Sequence, residues 1–271
     1  MEMNTRGMQS EVAIRVDVRG GRSRLVSSYF TPPFKVADTT EDRRAALLHL
    51  MLMCSSPGVL DGDDLTIRVE VGEHGQVWLH TQSYQRLFRM RQGAVQRVEV
   101  RMEKGACLCW LPHPCVPHEN AIFTGINQIF LSKDCKFVWG EVLTCGRKLN
   151  GEVFNFSKYH MRTEVFVDGE LALLENVCLR PSVLSVGMPG QMEGFTHQAS
   201  LLVMGKGAGE RKREIDAYLS ERCLEILFGV SEGPAGSLVV RILGNKAEPL
   251  YDCLKGIAGM LMSAKSVMYD S

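Results

Sequence analysis

Apolar and polar residues alternate with a period of two along much of the chain, the pattern of a strand with one buried face. It runs through 11–18 (EVAIRVDV), 65–71 (LTIRVEV), 76–82 (QVWLHTQ) and 95–102 (VQRVEVRM), and predicts a strand at each. Short turns join several strands, at Gly75 in VEVGEHGQVW, Gly105 in VRMEKGACLCW, Asp134 in FLSKDCKFVW and Asp168-Gly169 in VFVDGELALL. The turns recur about every thirty residues, a spacing compatible with hairpins stacked along an axis. A sandwich of regularly spaced hairpins shows the same pattern.

Helical periodicity gathers near the end. RKREIDAYLSERCLEILFG (211–229) brings Ile215, Leu219, Leu224 and Leu227 toward one face before Gly229. EPLYDCLKGIAGMLMSAKS (248–266) opens with Pro249 in its first turn. Two amphipathic helices closing a β-rich chain are expected to offer an apolar face to a helical partner. The segment 38–53 (DTTEDRRAALLHLMLM) reads two ways: Asp38 and Glu41 fit a capping box, while Leu48, Leu50, Leu52 and Cys54 alternate like a buried strand.

With 271 residues and 45% hydrophobic content, the chain can bury a large core. Its 31 basic and 31 acidic residues balance, so no bulk charge favours nucleic acid or an anionic membrane, and a partner must be recognised locally. Arg86, Arg89 and Arg91 around Phe88 are the densest basic cluster and suit an acidic protein surface or a solvated loop. Nine cysteines without framework spacing suggest reduced thiols in a cytoplasmic protein. No apolar run approaches the roughly 18 residues of a membrane span.

The stretch CLCWLPHPCVPHEN gathers Cys107, Cys109, His113, Cys115 and His118. These are zinc, copper and nickel ligand types, yet C-x-C followed by three prolines is no zinc knuckle, and the simpler expectation is packing on a strand that ends at Leu111. P-loop, nucleophile-elbow and zinc-protease motifs are absent. An enzyme would have to use this segment for metal-dependent hydrolysis, or acids near Asp61 and Asp63 for carbohydrate chemistry. LDGDD (60–64) reads more simply as a turn feeding the next strand.

Six motifs occur in order: YFTPPFKV (29–36), SSPGVLDGDDLTIRV (55–69), TQSYQRLFR (81–89), HENAIF (118–123), WGEVLTCGRKLNGEVF (139–154) and GFTH (194–197). Together they resemble the urease accessory family UreD/UreH, nearer its UreH branch, from about residue 23 to 262 as one domain spanning 1–271. The signature positions are Gly62, Gly146, Arg147, Gly151 and Glu152, with Val59 and Asp64 departing from the family's usual glycine and arginine.

The resemblance implies a mainly β fold, a superhelical stack of β-hairpins with about two C-terminal helices, and assigns 45–54 to a strand. It implies a scaffold for nickel insertion into apo-urease, acting with UreF and the GTPase UreG, so that GTP enters only through UreG. Nickel would be transient cargo and no cofactor would be tightly bound. Neither nucleic acid nor membrane is an expected partner. The resemblance also points to Asp63, Glu141 and Glu175 as acids of an internal passage. Each has a plainer role beside it: Asp63 as a turn cap, Glu141 as a partner of Arg147, Glu175 as a solvated strand residue.

Overall fold

The computed structural model describes residues 7–263 except 189, 206 and 223–225. The chain is mainly β. β1 (Gln9–Arg19) and β2 (Arg22–Phe30) form an antiparallel hairpin, and β3 (Phe34–Asp38) pairs antiparallel with β4 (Leu48–Cys54). Residues 48–54 are therefore strand, and the capping-box reading of 38–53 gives way to the alternating leucines, which are all buried.

Then follow β5 (Asp64–Val71), β6 (Gln76–Thr81), β7 (Gln85–Leu87), β8 (Ala94–Met102), β9 (Cys107–Leu111) and β10 (Cys115–Pro117). After these come β11 (Ile122–Leu131), β12 (Lys136–Thr144), β13 (Lys158–Val167), β14 (Glu170–Leu179) and β15 (His197–Met204). The chain continues through α1 (Lys212–Arg222), β16 (Leu227–Glu232), β17 (Leu238–Gly244) and α2 (Ala247–Ser263).

Among the described residues the strands fall into two sheets. The first has the order β14-β13-β11-β8-β5-β1-β2; the second runs β16-β17-β15-β12-β9-β6-β4-β3, with β10 and β7 attached beside β12. The turns at Gly75, Gly105 and Asp134 each carry the chain from the first sheet to the second, so they are arches and not the hairpins expected. β5, β8, β11 and β13 stack in parallel on one side, and β4, β6, β9 and β12 on the other. The turn at 168–169 does close an antiparallel hairpin, between β13 and β14. The thirty-residue recurrence is the length of one circuit through both sheets. It aligns Leu65, Gln96, Gly125 and Met161 in one row, and Ile67, Val98, Asn127 and Thr163 in the next.

Apolar residues on the facing sides form the main core, including Val12, Ile67, Leu79, Leu108, Phe137 and Val165. A second core lies between the outer face of the second sheet and the helices. There Cys109, Leu111 and Val138 meet Ile215, Leu219, Leu250, Leu254 and Ile257. The apolar face of α2 is thus spent on its own sheet, which overturns the expectation that it stands free for a partner. Tyr251 Oη donates to the Leu111 carbonyl at 3.2 Å, and the Lys136 ammonium donates to the Leu261 carbonyl in the last turn. Pro249 sits in the first turn, as the sequence indicates.

The helix expected over 211–229 is shorter. α1 ends at Arg222, Leu224 lies outside the described residues, and Leu227 begins β16, which pairs with β17 from Leu227 to Glu232. Phe228 and Val230 alternate toward the second core, a strand period too short to stand out behind a helical leucine spacing. Residues 264–266 of the second expected helix lie outside the described residues.

Candidate functional site

The two sheets do not pack completely. A cavity of about 650 Å³ lies between them, with Leu65, Ile67, Gln96, Val98, Asn127, Tyr159 and Met161 on one wall. Opposite are Gln85, Trp110, Cys115, Trp139 and Glu141. Its rim includes the exposed residues Leu60, Gln82, Ser83, Arg86 and Arg89. Two of the three arginines singled out in the sequence therefore stand at the opening, while Arg91 interacts electrostatically with Asp61 of the rim.

Asp63 is buried and lines the cavity. The positive φ of Gly62 (82°) turns the chain so that the Asp63 carboxylate can accept from two backbone amides, Leu60 at 2.7 Å and Met8 at 3.0 Å. Its turn-capping role is thus present along with its place in the cavity wall.

Glu141 extends from β12 into the same cavity. Trp139 Nε1 donates to its Oε1 at 2.9 Å and Asn127 Nδ2 to the same oxygen at 3.2 Å. Removal from bulk water is the larger influence and, with the charge of Glu175, raises its carboxyl pKa to about 7 despite those donors. The expected pairing with Arg147 does not occur. Arg147 instead engages Glu152 through Nε, at 2.9 Å, and through Nη2.

That pair belongs to the signature turn. Gly146 (φ 119°) and Gly151 (φ 80°) hold conformations that side chains rarely adopt, and the Glu152 carboxylate also accepts from the Glu119 amide at 3.2 Å. The signature glycines and Arg147 with Glu152 fasten the end of β12 to the 118–120 loop. The Arg147 guanidinium holds the Glu152 carboxyl below its ordinary range.

Glu175, on β14, pairs with Arg241 of β17 at 2.6 Å, tying the edge strand of the first sheet to the second sheet. It is partly buried and outside the set of residues lining the cavity, but close enough to act on Glu141. The three acids do not form one cluster: Asp63 and Glu141 share the cavity, and Glu175 ends the row Asn127, Thr163, Glu175 on the same face of the first sheet, beyond the lining.

The Cys/His-rich stretch disperses. Along β9, Leu108 and Trp110 face the main core while Cys109 faces the helices; Cys107 Sγ lies 3.5 Å from Met262 Sδ. Burial raises the Cys107 thiol pKa to about 11 and pushes that of Cys109 well above its usual value. His113 packs beside Tyr251 and Tyr84, and its backbone amide donates to Thr81 Oγ1. His118 packs edge-on against Phe88. Only Cys115 and His113 of the five border the cavity. Among the described residues no group of three or more His, Cys, Asp and Glu side chains converges as a metal site.

Asn127, Met161 and Tyr159 were not singled out from the sequence. The signal for Asn127 was there: in IFTGINQIFL it takes the inward parity of Phe123 and Ile129, a polar residue where the alternation calls for an apolar one.

Residues 8–267 match the family described as UreD urease accessory protein, a wider span than the motifs alone cover. A protein of Flavobacterium johnsoniae named urease accessory protein UreD is 43% identical over 247 residues, covering 90% of this chain and 89% of its own length. One of the same name from Acetivibrio thermocellus is 35% identical over 259 residues, covering 95% and 99%. Another from Haemophilus influenzae is 32% identical over 256 residues, covering 90% and 94%.

Proposed function

Because this chain belongs to the UreD urease accessory protein family, we propose that it is a non-catalytic scaffold for nickel insertion into apo-urease, working in the cytoplasm with UreF and the GTPase UreG. The observation that carries the proposal is the cavity between the sheets, with Asp63 and Glu141 both in its lining. A nickel ion leaving water needs replacement ligands, and separated carboxylates supply them without the retention of a closed thiolate site. Nickel is cargo in this scheme, and GTP acts through UreG. Among the described residues no helix is long and apolar enough to cross a membrane.

The experiment is co-purification of this chain with UreF, UreG and apo-urease, followed by activation with nickel, bicarbonate and GTP. Glu141→Gln is the cleanest variant for the passage. Asp63→Asn leaves one oxygen where two now accept backbone amides, and Glu175→Gln breaks the pair with Arg241. The complex should assemble with Glu141→Gln while activation at limiting nickel falls. Normal activation by that variant would remove Glu141 from the passage, and failure of the native chain to associate with any partner would overturn the scaffold reading.

A further inference from the structure

We infer that Glu141 and Met161 form a mixed oxygen and sulfur transit station for a borderline divalent cation, with the Cys115 thiol as a further donor in the opposite wall. The inference rests on the reading that nickel crosses this cavity, and adds how the passage would favour such an ion over magnesium.

The starting point is Asn127. Its Nδ2 has three acceptors around it: Thr163 Oγ1 at 2.9 Å, Glu141 Oε1 at 3.2 Å and Met161 Sδ at 3.4 Å. An amide nitrogen has two hydrogens, so it cannot satisfy all three. Both donors to Glu141 reach Oε1, and among the described residues Oε2 takes no hydrogen bond. Asn127 thus meets more acceptors than it has hydrogens, and Glu141 Oε2 is left for whatever enters the cavity, water or a cation. Because Oε1 and Sδ share one nitrogen, they lie within two hydrogen-bond lengths of each other.

Met161 is placed by Gly125, its register partner on β11. A Cβ at that glycine would fall 2.3 Å from Met161 Sδ, so the bare backbone leaves the space that the thioether occupies. Cys115 pairs with Leu143, two residues beyond Glu141 along β12, which puts Cys115 and Glu141 on one face of the second sheet. Both line the cavity.

A thioether adds affinity for nickel or cobalt without adding charge, whereas magnesium prefers oxygen ligands and gives up water reluctantly. The Met161 thioether would therefore discriminate while leaving the ion free to move on. Cys115, whose thiol is kept protonated by burial, would join only transiently, by giving its proton to cavity water as the ion arrives.

The test uses the assembled complex with UreF, UreG and apo-urease. Met161→Leu removes sulfur at nearly constant volume. Nickel retained by the complex is measured by equilibrium dialysis, and activation at limiting nickel is titrated with magnesium. The expected result is roughly tenfold weaker nickel retention and greater inhibition by magnesium. Cys115→Ala tests the same preference from the other wall should Met161→Leu disturb assembly, and cobalt absorption bands from sulfur coordination should weaken in both variants. If Glu141→Gln lowers activation while both sulfur variants retain nickel and resist magnesium like the native complex, the station is refuted and the passage stands. If Glu141→Gln is also without effect, neither the station nor a passage by way of Glu141 stands.

Discussion

Glu141→Gln should make the protein more stable and less able to support activation. The Glu141 carboxyl is raised to about 7 from an ordinary 4.5, chiefly by burial. A folded-state pKa above the unfolded one means that the favourable contribution is complete below the unfolded value and is lost as pH rises through the folded value. By about pH 8 the folded protein holds an ionised carboxylate that the unfolded chain would hold at lower cost. At about 1.36 kcal/mol per unit the penalty approaches ~3 kcal/mol, and water in the cavity lowers it. Glutamine keeps an oxygen able to accept from Trp139 and Asn127 and carries no charge. The variant should therefore gain about 1–3 kcal/mol near pH 8 and under about 1 kcal/mol near pH 5. Urea denaturation at the two pH values measures both differences. An advantage of equal size at both, or a loss of stability near pH 8, would refute the electrostatic reasoning. Reduced activation by a variant that is more stable could not be attributed to unfolding.

Gly125→Ala should change stability by under about 1 kcal/mol in denaturant titrations, since its Cβ would meet only the far end of the flexible Met161 side chain, which has the cavity to swing into. Glu152→Ala should lower the melting temperature more than Arg147→Ala, because the Glu152 carboxylate serves both Arg147 and the Glu119 amide. Burial, with Lys148 nearby, pushes the His197 pKa down to about 4, so its neutral form is favoured in the fold. Stability should decline as pH falls from 6.5 toward 4, and His197→Gln should flatten that part of the stability–pH curve.

Alternation identified β1, β5, β6 and β8 almost residue for residue, because each buries one face and exposes or half-buries the other. It could not identify strand partners. Period two says which side chains are inside and is silent on which backbone lies alongside, so an arch and a hairpin look alike around Gly75 or Gly105. The Cys/His-rich stretch misleads for a related reason. Density along the chain suggests convergence, yet the pleat of β9 sends Cys109 to the helices, and the prolines carry His113, Cys115 and His118 to separate neighbours. Asp63 and Glu141 were found through resemblance; residue chemistry alone gave no reason to connect acids 78 positions apart in the sequence. Asn127 was legible as a polar interruption in an apolar strand, but its neighbours come from β12 and β13 and could be known only from the fold.

The cavity itself bears on how an ion would cross it. It opens to solvent at a rim that includes Leu60, Gln82, Ser83, Arg86 and Arg89, so water can enter it, and its lining is suited to hold water: Gln85, Gln96, Asn127 and Glu141 interrupt walls of leucine, valine and tryptophan. A hydrated cavity changes the demand on the acids. An ion entering it keeps part of its water shell, so Asp63 and Glu141 need only replace a few ligands at intervals, and neither has to carry the whole desolvation cost. The same water limits how tightly either carboxylate can hold the ion, which is the property required of a scaffold whose cargo must leave.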